Sequence, residues 1–168
     1  MPDVTDVLEQ EHRVVEQLFE EYQRSSDPAV AERICDELAL HTRAEEQVVY
    51  PTLRRDVAGG PELAHEAEQE HGEVDDLIEQ VRRAGFGSDE APGLLQTLEH
   101  AVEHHIEEEE SETFPTMRAT LAADQLEAMA EQVGELRARP QAGAAPRATR
   151  RRRPPTGAGR KRAGGAQG

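Results

Sequence analysis

The amino-acid sequence predicts an all-α protein. A four-helix up-and-down bundle with a short C-terminal helix occupies residues 1–139, and a disordered basic tail occupies residues 140–168. Three observations carry this reading. Asp, Pro and Gly punctuation cuts the chain into four helices of bundle length with short connections. No alternating β-branched run of strand length occurs. A pattern in the first two helices recurs in the next two.

Taken in order, Asp3 is placed to cap a first helix that runs to about Arg24. Asp27-Pro28 then supplies a cap and a proline at the first helical position, opening the second helix. That helix runs to a break at Tyr50-Pro51, with a short continuation to Asp56. Ala58-Gly59-Gly60-Pro61 closes it and starts the third helix, which reaches Ala84. Gly85-Phe86-Gly87-Ser88 is a loop, and the fourth helix extends from near Pro92 to Phe114-Pro115. A shorter helix follows, from about Ala122 to Arg137.

Charge divides the chain at the same place. All 35 acidic residues and 11 of the 19 basic ones precede residue 140, so the body carries a formal -24 and the tail +8. The tail is Pro, Gly, Ala and Arg, with no large apolar residue to form a core. No apolar run is long enough to cross a bilayer, and Met1-Pro2-Asp3 leads into a charged helix rather than an apolar signal segment. The expectation is a cytoplasmic protein without membrane contact. Cys35 stands alone, which excludes an internal disulfide framework and reads as a small packing residue. The acidic body repels nucleic acid. The arginines within residues 147–162 offer a weak contact to nucleic acid or another polyanion, or else the tail is a solvated extension or folds back on the acidic body.

The repeat points to chemistry. Glu9 to Glu20 matches Glu68 to Glu79, with seven of twelve positions identical, and Glu11-His12 recurs as Glu70-His71. His41-x3-Glu45-Glu46-x3-Tyr50-Pro51 recurs as His105-x3-Glu109-Glu110-x3-Phe114-Pro115. Two hairpins related by an approximate two-fold axis place four histidines around one centre. At roughly 100° per residue, each repeated histidine falls inside its helix's apolar stripe, with a carboxylate one turn later: Glu16, Glu45, Asp75 and Glu109. Burying such carboxylates unpartnered costs several kcal/mol, an objection that a bound cation removes. Four imidazoles and two glutamates form a nitrogen and oxygen set suited to iron, manganese or zinc. With both glutamates bridging two ions, about two coordination positions stay open for water, dioxygen, peroxide or nitric oxide.

These residues resemble the hemerythrin-like (HHE cation-binding) domains. The matching pieces are Glu11-His12-Arg13, His41-x3-Glu45-Glu46 with Tyr50-Pro51, Glu70-His71, and His104-His105-x3-Glu109 with Phe114-Pro115, across about residues 3–135. The resemblance implies a four-helix bundle enclosing a non-haem di-iron centre with an oxo or hydroxo bridge. Its ligands would be His12, His41, Glu45, His71, His105 and Glu109. Oxygen-carrying hemerythrins add a fifth histidine, and Asp75 stands at that position here. The implied function is to bind, sense or react with O2, peroxide or NO, or to sense iron. Two other readings stay open: a mononuclear metal-dependent hydrolase or transferase on a similar bundle, and an acidic helical interaction module without metal. No catalytic residue is assigned.

Several neighbours have alternative roles. His104 competes with His105 as ligand, although the register of the repeat selects His105. His65 and His100 lie off the ligand faces and are expected in solvent. Glu16 and Asp75 are expected to accept hydrogen bonds from the imidazoles rather than ligate. Tyr50 is expected to pack, since its repeat mate Phe114 has no donor atom. The run Glu107–Glu110 reads as a solvated face apart from Glu109.

Overall fold

Every helix predicted from punctuation forms, and the fourth runs further than expected. The computed structural model describes residues 2–139, so the tail over 140–168 lies outside the described residues. Helix α1 spans Val4–Ser25. Asp3 accepts from the Thr5 and Asp6 amides at 2.8 and 3.0 Å, and Asp6 returns the favour to the Asp3 amide, completing a capping box. Ser26, in the left-handed region with φ 51°, turns the chain directly into Asp27, the N-cap of α2 (Pro28–Ala44). After α3 (Tyr50–Asp56), α4 (Gly60–Ala84) begins where a Cβ on Gly60 would lie 2.0 Å from the Leu53 carbonyl oxygen. Only glycine fits that approach. Helix α5 covers Ala91–Glu108, α6 Phe114–Thr120 and α7 Ala123–Ala138.

The expected breaks at Tyr50-Pro51 and Phe114-Pro115 are π-helical turns, Glu45–Val49 and Glu109–Thr113, through which each helix continues. The Tyr50 amide donates to the Glu45 carbonyl and the Phe114 amide to the Glu109 carbonyl, five residues back. In a regular helix, proline clashes with the carbonyl four residues earlier and lacks the donor for it. The widened turn accommodates both. The fourth predicted helix thus reaches Thr120 rather than Pro115.

Helices α1 and α2 form one hairpin, and α4 and α5 the other. Helix α7 lies on α1 and α2, burying Leu126, Met129 and Val133. The interior has two apolar clusters. One contains Val4, Leu8, Tyr50, Leu53, Phe114 and Met117, and the other Phe19, Ile34, Ile78, Leu95 and Leu98. Between them lies a polar layer of His12, His41, Glu45, His71, His105 and Glu109. Among the described residues no strand occurs, and no helix is long and apolar enough to cross a membrane. Cys35 is buried, and burial pushes its thiol up to about 11, consistent with packing alone.

Candidate metal centre

The six side chains singled out by the repeat meet in one chamber, and none is more than 3% exposed. The α1–α2 hairpin and the π turn that follows it bring His12, His41 and Glu45. The α4–α5 hairpin and its π turn bring His71, His105 and Glu109. Two overlapping groups are compact enough to hold an ion, His12–His41–Glu45–Glu109 and Glu45–His71–His105. Glu45 belongs to both, with Oε1 3.2 Å from His41 Nε2 and Oε2 3.2 Å from His71 Nε2. Glu109 Oε2 spans the halves the other way, 3.4 Å from His12 Nε2 and 3.5 Å from His105 Nε2.

The donor set fits a cation on three counts. All four oxygens of Glu45 and Glu109 are buried without a hydrogen-bond partner. Left so, they carry a desolvation cost of several kcal/mol. The Nε2 atoms of His12 and His41 face each other at 3.1 Å, as do those of His71 and His105. For His12, His41 and His105 the opposite nitrogen bonds a carboxylate, so their Nε2 atoms turn lone pairs inward, which repel unless a positive charge lies between them. Finally, neighbouring donors around an octahedral ion at about 2.1 Å stand about 3.0 Å apart, near the separations observed.

The field in the chamber demands the same charge. Burial opposes ionisation of His41, but Glu45 and Glu11 override it and raise the imidazole to about 10. His105 stands well above its ordinary value for the same reasons, through Glu109, Glu45 and Glu70. Burial likewise disfavours a charged Glu45, yet His41, His105 and His71 hold it well below the usual carboxylate range. In the metal-free protein, protons supply what a cation would.

The outer nitrogens meet carboxylates that the helical wheel did not select. His12 Nδ1 lies 2.9 Å from Glu110, His41 Nδ1 2.9 Å from Glu11, His105 Nδ1 2.8 Å from Glu70, and His71 Nδ1 3.8 Å from Glu46. These four residues are two repeated pairs, Glu11 with Glu70 and Glu46 with Glu110, so the outer ring obeys the same pseudo-two-fold axis as the inner one. The expectation for Glu16 is corrected: it pairs with Arg13 at the surface, and His12 takes Glu110 instead. Asp75 is half-buried on α4. His12, His41 and His105 take their acceptors from another helix, a relation that one-helix geometry cannot show, while His71 Nδ1 has Glu46 as a neighbour without a hydrogen bond. Glu110 is also corrected, from solvated face to imidazole partner, held in addition by Arg13. The signal was present in the doubled Glu-His and Glu-Glu pairs. Replacing Glu11 or Glu110 with Gln should weaken metal affinity about 10- to 100-fold without abolishing binding. Competition against a chelator of known affinity measures this; unchanged affinity in both variants would reject the positioning role.

Tyr50 and Phe114 break the symmetry. Phe114 stacks on His12 at 5.7 Å, whereas the Tyr50 hydroxyl reaches to 3.0 Å from His71 Nε2. Tyr50 therefore does more than pack, and its oxygen lies on the metal-facing side of an imidazole. Burial, together with Glu45 and Glu109, raises its phenol and keeps it protonated. On the other side of the chamber a cavity of about 10 Å³ opens beside His12, His41 and His105, walled by Val15, Leu38, Val74, Val102 and Ile106. It suits one water-sized guest. His65 and His100 are exposed, as expected, and His104 sits at the surface with Glu70 and Glu108.

The sequence profile of the Hemerythrin HHE cation binding domain matches residues 3–117. The chain is 31% identical over 129 residues to a protein of Nostoc sp. described as a DNA nickase, covering 74% of this chain and 36% of the relative. It is 25% identical over 130 residues to an uncharacterised hemerythrin-like protein of Schizosaccharomyces pombe, covering 74% of this chain and 64% of the relative. The chain thus spans about one third and just under two thirds of these two proteins. The crystal structure of a hemerythrin HHE cation-binding domain-containing protein from Mycobacterium kansasii superposes with a TM-score of 0.69 at 22% identity. The match covers 80% of this chain and 85% of the other, which is a likeness of fold.

Proposed function

Given that the chain belongs to the hemerythrin HHE cation-binding family, we propose that residues 1–139 hold a non-haem di-iron centre that binds or reacts with O2, peroxide or NO, or senses iron. The ligands in this reading are His12, His41, Glu45, His71, His105 and Glu109. The observation that carries it is the pairing of unpartnered Glu45 and Glu109 oxygens with a small apolar cavity beside three of the imidazoles. When bound, iron supplies redox and Lewis-acid chemistry. The chain's own contribution is positional. Glu11, Glu70 and Glu110 hold the Nδ1 protons and so aim the Nε2 lone pairs inward. Tyr50 keeps a proton 3.0 Å from His71 Nε2, available to a guest on that side. The aliphatic walls exclude bulk water and restrict the guest to a few atoms.

Anaerobic loading with Fe(II), followed by exposure to O2, peroxide or NO, tests the reading. Two irons per chain and a new absorption or electron paramagnetic signal with at least one of the three are expected. Failure to retain iron, or an unchanged spectrum with all three, would sink it.

A second reading, DNA nicking, is favoured by the description of the Nostoc relative. It ranks lower because the cavity beside the imidazoles, about 10 Å³, is far smaller than a phosphodiester and the body around it carries a formal -24. For the tail we propose weak, strongly salt-dependent contact with a polyanion through residues 147–162, opposed by that same acidic body.

A further inference from the structure

Outside the buried chamber, one other His and Glu cluster among the described residues is compact enough to hold an ion: Glu70, His104 and Glu108, on the outer face of the α4–α5 hairpin. His104 Nε2 stands 3.4 Å from Glu70 Oε1 and 3.4 Å from Glu108 Oε1. Both separations are long for hydrogen bonds. They match what two donors about 2.1 Å from one tetrahedral ion require, which is about 3.4 Å.

The pseudo-two-fold axis adds an independent observation. Glu70 is the repeat mate of Glu11, and each uses Oε2 to hold a Nδ1, of His105 and His41 respectively. Their remaining oxygens differ in surroundings. Glu11 Oε1 takes the Arg137 guanidinium of α7 at 3.1 Å, so on the α1–α2 half this position is occupied by a cation. On the α4–α5 half no arginine or lysine among the described residues pairs with Glu70; its neighbours there are His104 and Glu108, the latter hydrogen-bonded to it. Where the first half carries Leu40 and Ala44, the second presents His104 and Glu108, which are 63% and 49% exposed. The side chains have changed from apolar to ligating at the one place where the covering arginine is missing.

We propose that Glu70, His104 and Glu108 form a surface site for a borderline divalent cation such as Zn2+, with the remaining positions taken by water. The imidazole selects against Mg2+ and Ca2+, which favour all-oxygen sets. Glu70 connects this site to the buried chamber, one oxygen serving each. The surface site itself stands on its own donors and does not depend on the di-iron reading.

The test uses the full chain, loaded with iron, dialysed, and titrated with Zn2+ in excess Mg2+ to suppress general binding to the acidic body. Wild type is compared with His104→Ala and Glu108→Gln, both at exposed positions. Wild type is expected to take up one more Zn2+ per chain than either variant, or to bind it at least about tenfold more tightly. Equal Zn2+ uptake and affinity in all three proteins overturns the proposal. Iron retained after dialysis is counted separately. A failure of the di-iron reading therefore appears as missing iron, while the zinc difference between wild type and variants still decides the surface site.

Discussion

Glu45→Gln should reduce bound iron from two ions per chain to one or none. Glu45 is the carboxylate that both metal-sized groups share, with one oxygen 3.2 Å from His41 and the other 3.2 Å from His71. The amide keeps the shape of the side chain but removes its negative charge and one of its two acceptor oxygens. What remains is an imidazole-rich chamber with a single anionic residue, Glu109, to offset two cations. Loss of charge compensation in a dry interior is far more costly than at the surface. Metal analysis after loading and dialysis provides the measurement, with circular dichroism confirming that the helices persist. Two irons retained in the variant would show that Glu45 does not span the pair.

Chelation should lower the melting temperature by more than about 10 °C at pH 8. A ligand that binds only the folded chain at a thousand times its dissociation constant contributes about 4 kcal/mol. In a domain of this size, each kcal/mol corresponds to about 3–4 °C. The pH dependence follows from His41. Its folded value, about 10, lies above the ordinary 6.5. Protonated His41 therefore stabilises the metal-free fold fully below about 6.5, and that contribution is lost as pH rises through 10. Metal binding instead requires the imidazoles deprotonated. The gap between loaded and metal-free melting temperatures should widen from pH 6.5 towards 10 and narrow on acidification. A gap that stays constant across this window would separate metal binding from the charge state of the chamber.

The repeat made the inner six residues legible because a histidine inside an apolar stripe, followed by a glutamate one turn later, is a property of a single helix. The outer ring is a property of pairs of helices. His12 finds Glu110 and His105 finds Glu70 across the bundle, while Glu16, which shares His12's face, turns out to Arg13. The π turns were hidden for another reason. Aromatic-Pro reads as a stop when only regular helix is considered, and the widened turn that absorbs the proline has no composition of its own. The role of Arg137 in capping Glu11 depends on where α7 docks, and the sequence of α7 alone does not declare which hairpin it covers.

The crossing of Glu45 and Glu109 between hairpins has a consequence for how the chain assembles. Each hairpin is a local unit, closed by a short connection and able to form early at little entropic cost. The carboxylate of each reaches both halves: Glu45 lies beside His41 and His71, and Glu109 beside His105 and His12. On the proposed reading, an ion in the chamber would need donors from both hairpins, so it would be held fully only once the halves had docked in register and would then clasp segments far apart in sequence.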